Sequence, residues 1–222
     1  MLNIQQQSYL LSLARRTLEH YFDTKKILEV EAPSSELKEH RGTFVTLQKN
    51  GELRGCIGHI EPAQEIYKDV IENALAAAFE DPRFLPLEAN ELPEIKIEIS
   101  VLTEPRELKY SSAEDLLAKL TPLRDGVMIR KGNRGATYLP QVWEDFATPN
   151  PPAGGEGGPE DKAKFLSSLC RKAGLSKDEW RSGVLKVFTY QAEVFSEKQN
   201  TKHNQQNSWR QCLYCGNAFF LL

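Results

Sequence analysis

Thr43-Phe44-Val45-Thr46-Leu47-Gln48-Lys49-Asn50-Gly51-Glu52-Leu53-Arg54-Gly55-Cys56-Ile57-Gly58 is the stretch that decides how this chain folds. Two strand-like runs flank Asn50-Gly51, the dipeptide that best supplies the two positive-φ positions of a two-residue hairpin turn. Such a turn sets the register: Lys49 opposes Glu52, Leu47 opposes Arg54, and Val45 opposes Cys56. Side chains alternate along a strand, so Val45, Leu47, Arg54 and Cys56 are expected on one face. Phe44, Thr46, Leu53 and Ile57 are expected on the other. Arg54 and Cys56 then stand roughly 6–7 Å apart along the strand. Both faces carry apolar residues, so the hairpin is expected to be covered on both sides. Gly55 and Gly58 weaken a strand, and imply a close approach to its backbone or a bend.

Outward from the hairpin, Tyr9, Leu10, Leu13, Ala14, Leu18, Tyr21 and Phe22 recur at helical spacing and predict a helix over about 5–22. Residues 25–40 read as irregular. Ile66, Val70, Ala74, Ala77 and Ala78 form a narrow small-residue face on a second helix that Pro82 stops. Asp81-Pro82-Arg83-Phe84 is a rigid turn presenting Arg83. Ile95, Ile97, Ile99 and Val101 alternate with Lys96, Glu98 and Ser100, which predicts a strand with one wet face. Ser112 caps a short helix to Leu120. Residues 126–131 and 134–139 around Gly132-Asn133 read as a second hairpin, followed by a helical turn over 140–146. The Pro- and Gly-rich run 148–159 reads as a mobile loop. A helix over 161–173 ends at Gly174, and 183–195 reads as one long strand. Two hairpins argue for an α+β fold with a mainly antiparallel sheet and flanking helices.

The 222 residues are 40% hydrophobic and 27% charged, with 28 basic and 31 acidic residues and a net charge of -3. No basic excess points to nucleic acid. No apolar run approaches the roughly 20 residues of a membrane span, and the N-terminus lacks a secretory pattern. Cys56, Cys170, Cys212 and Cys215 are too dispersed for a disulfide scaffold, so the chain reads as a cytoplasmic protein with reduced thiols.

Cys56 beside Arg54 is the leading candidate site. A guanidinium favours the thiolate, so Cys56 could act as nucleophile and Arg54 as an anion clamp. The alternative is a buried thiol behaving as a small hydrophobe. Gly55, Gly58 and Arg83 are candidate ligand-binding positions. These residues suggest an enzyme, or an enzyme subunit, acting on a small anionic or aromatic metabolite. His59 is three residues past Cys56, so alternation sends it to the other face unless Gly58 bends the chain. His40 is a further candidate base, while His20 and His203 have no evident partner. Cys212-x-x-Cys215 is half a zinc knuckle without a second pair, so no metal is assigned.

Leu53-Arg54-Gly55-Cys56-Ile57-Gly58 resembles the LRGCIG hallmark of the AMMECR domain family. Arg41–Leu47, Ala78–Phe84, Ile97–Thr103, Asp125-Gly126-Val127 and Ala136–Trp143 carry further likeness, from about Gln5 to Glu197. Within the family the chain looks most like the prokaryotic branch called AmmeMemoRadiSam system protein A. The resemblance implies one AMMECR-like domain over 1–197, built of two unequal subdomains with the hallmark near a cleft between them. It implies a Memo-like protein and a radical SAM protein as partners, for which the chain could instead be a non-catalytic adaptor. It supplies no reaction and no cofactor. The 148–159 loop looks longer than the family pattern. Residues 198–222 match nothing in it and read as a disordered or atypical extension.

Overall fold

In a computed structural model, residues 1–147 and 158–198 are described. The 148–157 part of the Gly/Pro-rich loop, and the tail with Cys212 and Cys215, lie outside them. Over the described residues the chain divides into two compact units, one built on Met1–Glu104 and residues 193–198, the other on Pro105–Ala192.

The first unit begins with α1, Ile4–Thr24, where Asn3 and Gln6 form a reciprocal capping box and Lys25 closes the other end in a left-handed conformation. The hairpin follows as β1, Thr43–Lys49, and β2, Glu52–Gly58. Asn50 and Gly51 take positive φ, as the turn requires. Then come α2, Ile66–Phe79, and β3, Ile95–Leu102. The sheet order is β2-β1-β3-β8, where β8 is Ala192–Ser196. Val45, Leu47, Ile97 and Ile99 face a core completed by Leu10, Leu13 and Leu18 of α1 and Val70, Ala74 and Ala77 of α2.

The hairpin register departs from the simple reading. Lys49 pairs with Glu52 and Gln48 with Leu53, but a bulge then places Gly55 opposite Leu47, Cys56 opposite Thr46 and Ile57 opposite Val45. Arg54 is the extra residue. Leu47 is fully buried, so an unbroken register would drive the Arg54 guanidinium into the core beside it. The bulge averts this and turns Gly55 inward. A Cβ on Gly55 would sit 2.0 Å from the Ala77 carbonyl oxygen, so α2 packs directly against this backbone. Arg54 and Cys56 therefore do not share a face with Val45 and Leu47.

Two other expectations are corrected. The face bearing Glu98 and Ser100 is not wet. Both are buried, as are Phe44 and Gln48 on that side, because a polar alternation reports chemistry rather than exposure. The run 183–195 is not one strand. It breaks at Gln191 into β7, Lys186–Tyr190, and β8, which belong to different sheets.

The second unit holds β4, Arg106–Glu107; α3, Ala113–Lys119; β5, Gly126–Lys131; β6, Arg134–Tyr138; and α4, Pro159–Lys172. Its sheet order is β4-β7-β5-β6, and the pairs β4–β7, β5–β6 and β5–β7 are antiparallel. Trp143 stacks on Phe165 at 3.5 Å over a core with Leu166, Leu169 and Trp180. The fold is α+β with two four-stranded sheets. Among the described residues, no helix is long and apolar enough to cross a membrane.

Gly55→Ala tests the bulge and the helix contact together. The added methyl meets backbone that cannot move alone, so the variant is expected to lose about 1–3 kcal/mol in urea unfolding. An unchanged midpoint would show that α2 does not rest on this strand.

Candidate functional site

The two members of the predicted pair have different partners. Arg54 grips Glu91 with two nitrogens, Nε to Oε1 at 3.1 Å and Nη2 to Oε2 at 2.8 Å, and donates from Nη1 to the Leu85 carbonyl at 2.9 Å. Lys49 Nζ reaches Glu91 Oε1 at 3.1 Å. The Arg54 hydrogen bond, ahead of the opposing effect of burial, holds the Glu91 carboxyl at about 2. The clamp that Arg54 offers a carboxylate is thus filled from within the chain.

Cys56 stands on the opposite face of β2 from Ile57, and Thr46 Oγ1 lies 3.2 Å from its Sγ. Its backbone faces away from β1, since β2 is an edge strand. The Cys56 N–H donates to Asp81 Oδ2 at 2.9 Å, and its carbonyl accepts from Arg83 Nη2 at 3.3 Å. Arg83 and Asp81 are themselves paired at 2.6 Å. Burial opposes ionisation of Asp81, yet the Arg83 and Cys56 donors hold its carboxyl below the usual range. Arg83 and Asp81 therefore cap the exposed edge of β2. Next to Thr46 on β3 is Glu98, whose carboxyl burial pushes up. Cys170 lies in the core of the second unit, where burial pushes its thiol up to about 11 and keeps it unreactive.

On the other side of β2 a different constellation forms. Asp69, in the first turn of α2, is 2% exposed. Its Oδ2 accepts from Thr43 N at 3.0 Å, Thr43 Oγ1 at 2.6 Å and Asn73 Nδ2 at 3.0 Å. Its Oδ1 meets His59 Nδ1 at 2.7 Å and accepts from Gln64 Nε2 at 3.2 Å. A carboxylate at Nδ1 fixes the proton there, which leaves Nε2 of the neutral ring as an acceptor. The Asp69 hydrogen bond raises the His59 pKa, against the opposing effect of burial, and the charges of Asp69 and Glu72 add to it. His40 takes no part in this cluster and forms a β-bridge with Glu65.

Asn73 is fully buried. Its Nδ2 also donates to the Thr43 carbonyl at 3.2 Å and to Thr43 Oγ1 at 3.0 Å, so three acceptors set the direction of the amide. Its Oδ1, at the other end of that amide, has no hydrogen-bond partner.

His59 and Asn73 both line a cavity of about 700 Å³ contained in the first unit. Ile57 and Gly58 of β2, Tyr67, Ile71, Leu75 and Ala76 of α2, residues 27–30 and Pro82 complete most of its wall. In an antiparallel ladder alternate residues turn their backbone groups outward. Cys56 turns outward to Asp81, so Gly58, two residues on, does the same at the cavity wall. A Cβ on Gly58 would strike the Phe44 ring and the Thr43 carbonyl, both at 2.3 Å. A volume of this size fits a small organic molecule.

Sequence reasoning kept His59 apart from Cys56 correctly but overlooked Asp69, Asn73 and Thr43. A signal was available. Asp69 and Asn73 are an i, i+4 polar pair on a helix whose neighbours Val70, Ala74 and Ala77 are apolar.

A folded-state His59 pKa above the unfolded value of about 6.5 stabilises the protein fully below that pH. This stabilisation is lost as pH rises through the folded value. The stability gap between wild type and His59→Gln is therefore expected to be widest near pH 5.5 and to close as pH rises. A gap that is constant or grows with pH would contradict the His59–Asp69 pairing.

The AMMECR1 family profile matches residues 11–195. Protein MK0488 of Methanopyrus kandleri is 38% identical over 201 residues, covering 89% of this chain and 91% of that protein. A protein of Thermofilum pendens is 39% identical, covering 88% of this chain and 92% of its own length. The crystal structure of the uncharacterized protein PH0010 from Pyrococcus horikoshii superposes with a TM-score of 0.78 at 33% identity, covering 89% of this chain and 94% of that one. With a profile match over most of its length and relatives that it matches nearly end to end, the chain belongs to the AMMECR1 family.

Proposed function

We propose that this protein is an enzyme, or the acid–base subunit of one, that binds a small molecule in the cavity beside β2 and exchanges a proton with it through His59 Nε2. The observation that carries this is the His59–Asp69 pair at 2.7 Å, with His59 in the wall of the cavity. Asp69 fixes the imidazole tautomer and balances the imidazolium once formed. The outward backbone of Gly58 orients the ligand, and the apolar side chains exclude water from it. Arg54 is held by Glu91, and Cys56 is not among the residues lining the cavity. The ligand is therefore assigned to the His59 side of β2 rather than to Arg54, Cys56 and Arg83. Gly55 and Gly58 serve the site by letting α2 and β1 approach β2.

The test is a metabolite extract incubated with the full chain and profiled by mass spectrometry. Wild type is expected to retain and alter one compound. His59→Ala is expected to retain it while altering it about 10²–10⁴ times more slowly. Ala76→Trp, which fills the cavity, is expected to retain none. Under the alternative, an adaptor for a Memo-like protein and a radical SAM protein, His59→Ala would change no compound's fate. That result, or retention unaffected by Ala76→Trp, would overturn the proposal.

A further inference from the structure

We propose that the molecule taken by this cavity is a short extended peptide, one residue of which pairs through its own N–H and C=O with those of Gly58. This rests on the cavity being a small-molecule site. The pairing follows from the state of the β2 edge. The His59 N–H donates to the Thr43 carbonyl of β1 at 2.9 Å, so Gly58, one residue before, turns both backbone groups away from β1. Gly58 has no side chain, so the cavity meets it through its backbone. Gly58 is buried, and among the described residues neither its N–H nor its C=O has a partner. Buried backbone groups are rarely left unpaired. Cys56, the preceding outward residue, shows what such a position takes. There Asp81 accepts from the N–H at 2.9 Å and Arg83 donates to the C=O at 3.3 Å. At Gly58 the described residues supply neither, and a peptide residue supplies both.

The rest of the cavity makes the ligand a peptide rather than another amide. Successive residues of an extended chain turn their backbone groups to opposite sides. The residues before and after the paired one therefore point theirs away from β2. Residues 27–30 line the same cavity and form neither helix nor strand. Their backbone N–H and C=O groups have no partner among the described residues. A hydroxyl, a carboxylate or a single amide cannot offer a donor and an acceptor to both sides, whereas a peptide does. Length is limited by the edge itself. Toward Cys56 it is closed by Asp81 and Arg83, and β2 ends at Gly58. A strand added along β2 thus has one residue to pair with, which suits a ligand of about three residues. Side chains alternate, so the two flanking residues turn theirs to the face of Ile57. Ile71 and Leu75 of α2 line the cavity with Ile57, and both flanking residues are accordingly apolar.

The Gly58 donor and acceptor belong to the backbone, and a side chain added there would strike Phe44 and Thr43, so the pairing is tested from the ligand side. The probes are acetyl-Leu-Ala-Leu-amide, its depsipeptide with an ester oxygen in place of the alanine N–H, and 2-phenylethanol. Each is titrated calorimetrically into the full chain. The peptide is expected to bind, and the depsipeptide to bind about 10-fold more weakly, a step of about 1.4 kcal/mol. Hydrogen exchange of the Gly58 amide, followed by NMR, should slow by about 10-fold or more with the peptide bound. Ala76→Trp should abolish the binding and the protection. Equal affinity for peptide and depsipeptide, or Gly58 exchange unchanged by bound peptide, overturns the peptide assignment. So does binding of 2-phenylethanol, lost in Ala76→Trp, without binding of the peptide, and that result leaves the cavity reading standing. Absence of binding by all three probes at about 10 mM, where even weak fragment affinity registers, overturns both.

Discussion

Asp69 places a carboxylate inside the first unit, and the surrounding chain is arranged to satisfy it. Its two oxygens draw donors from Thr43 at the start of β1, from Asn73 one turn along α2, from Gln64 before that helix and from His59 just past β2. A buried carboxylate lacking such partners would be strongly destabilising. Meeting its needs ties the hairpin to α2 and orients the imidazole in the same stroke. The anchoring interaction of the fold and the orienting interaction of the site are thus one interaction. Removing it would be felt in both.

The bulge at Arg54 is the second constraint. It separates three neighbouring residues with incompatible needs. Gly55 goes inward against Ala77, Arg54 turns to Glu91, and Cys56 faces Thr46 with its backbone capped by Asp81 and Arg83. Alternation alone cannot do this, because it would place Arg54 on the same side as Leu47. The edge position of β2 matters too. An unpaired strand edge exposes backbone donors and acceptors. Here one part of the edge is closed by an ion pair and the other, at Gly58, opens on the cavity.

Much of this was legible in the residues. Asn50-Gly51 gave the turn and the first pair of the register, Lys49 with Glu52, and Gly55 announced a close approach that α2 supplies. Apolar alternation over Ile95–Val101 located β3. The rest depended on contacts distant in sequence. Glu91, nearly forty residues past Arg54, decides where its guanidinium goes, and no local pattern predicts a bulge. Glu98 and Ser100 alternate as a solvated face would, yet they are buried. The break at Gln191 carries no glycine or proline, so the change of sheet between β7 and β8 left no mark. For the site, attention went to the uncommon residue pair Arg54 and Cys56. The group proposed to act is a commonplace histidine, whose partner Asp69 lies on α2.

The central claim is that Asp69 holds the proton of neutral His59 on Nδ1 and leaves Nε2 as the acceptor toward the cavity. Long-range proton–nitrogen correlation NMR on uniformly ¹⁵N-labelled protein, recorded above the His59 titration, reads this tautomer directly. The account predicts a protonated Nδ1 and an Nε2 resonance at the unprotonated imidazole position. A His59 signal showing the proton on Nε2 would contradict it.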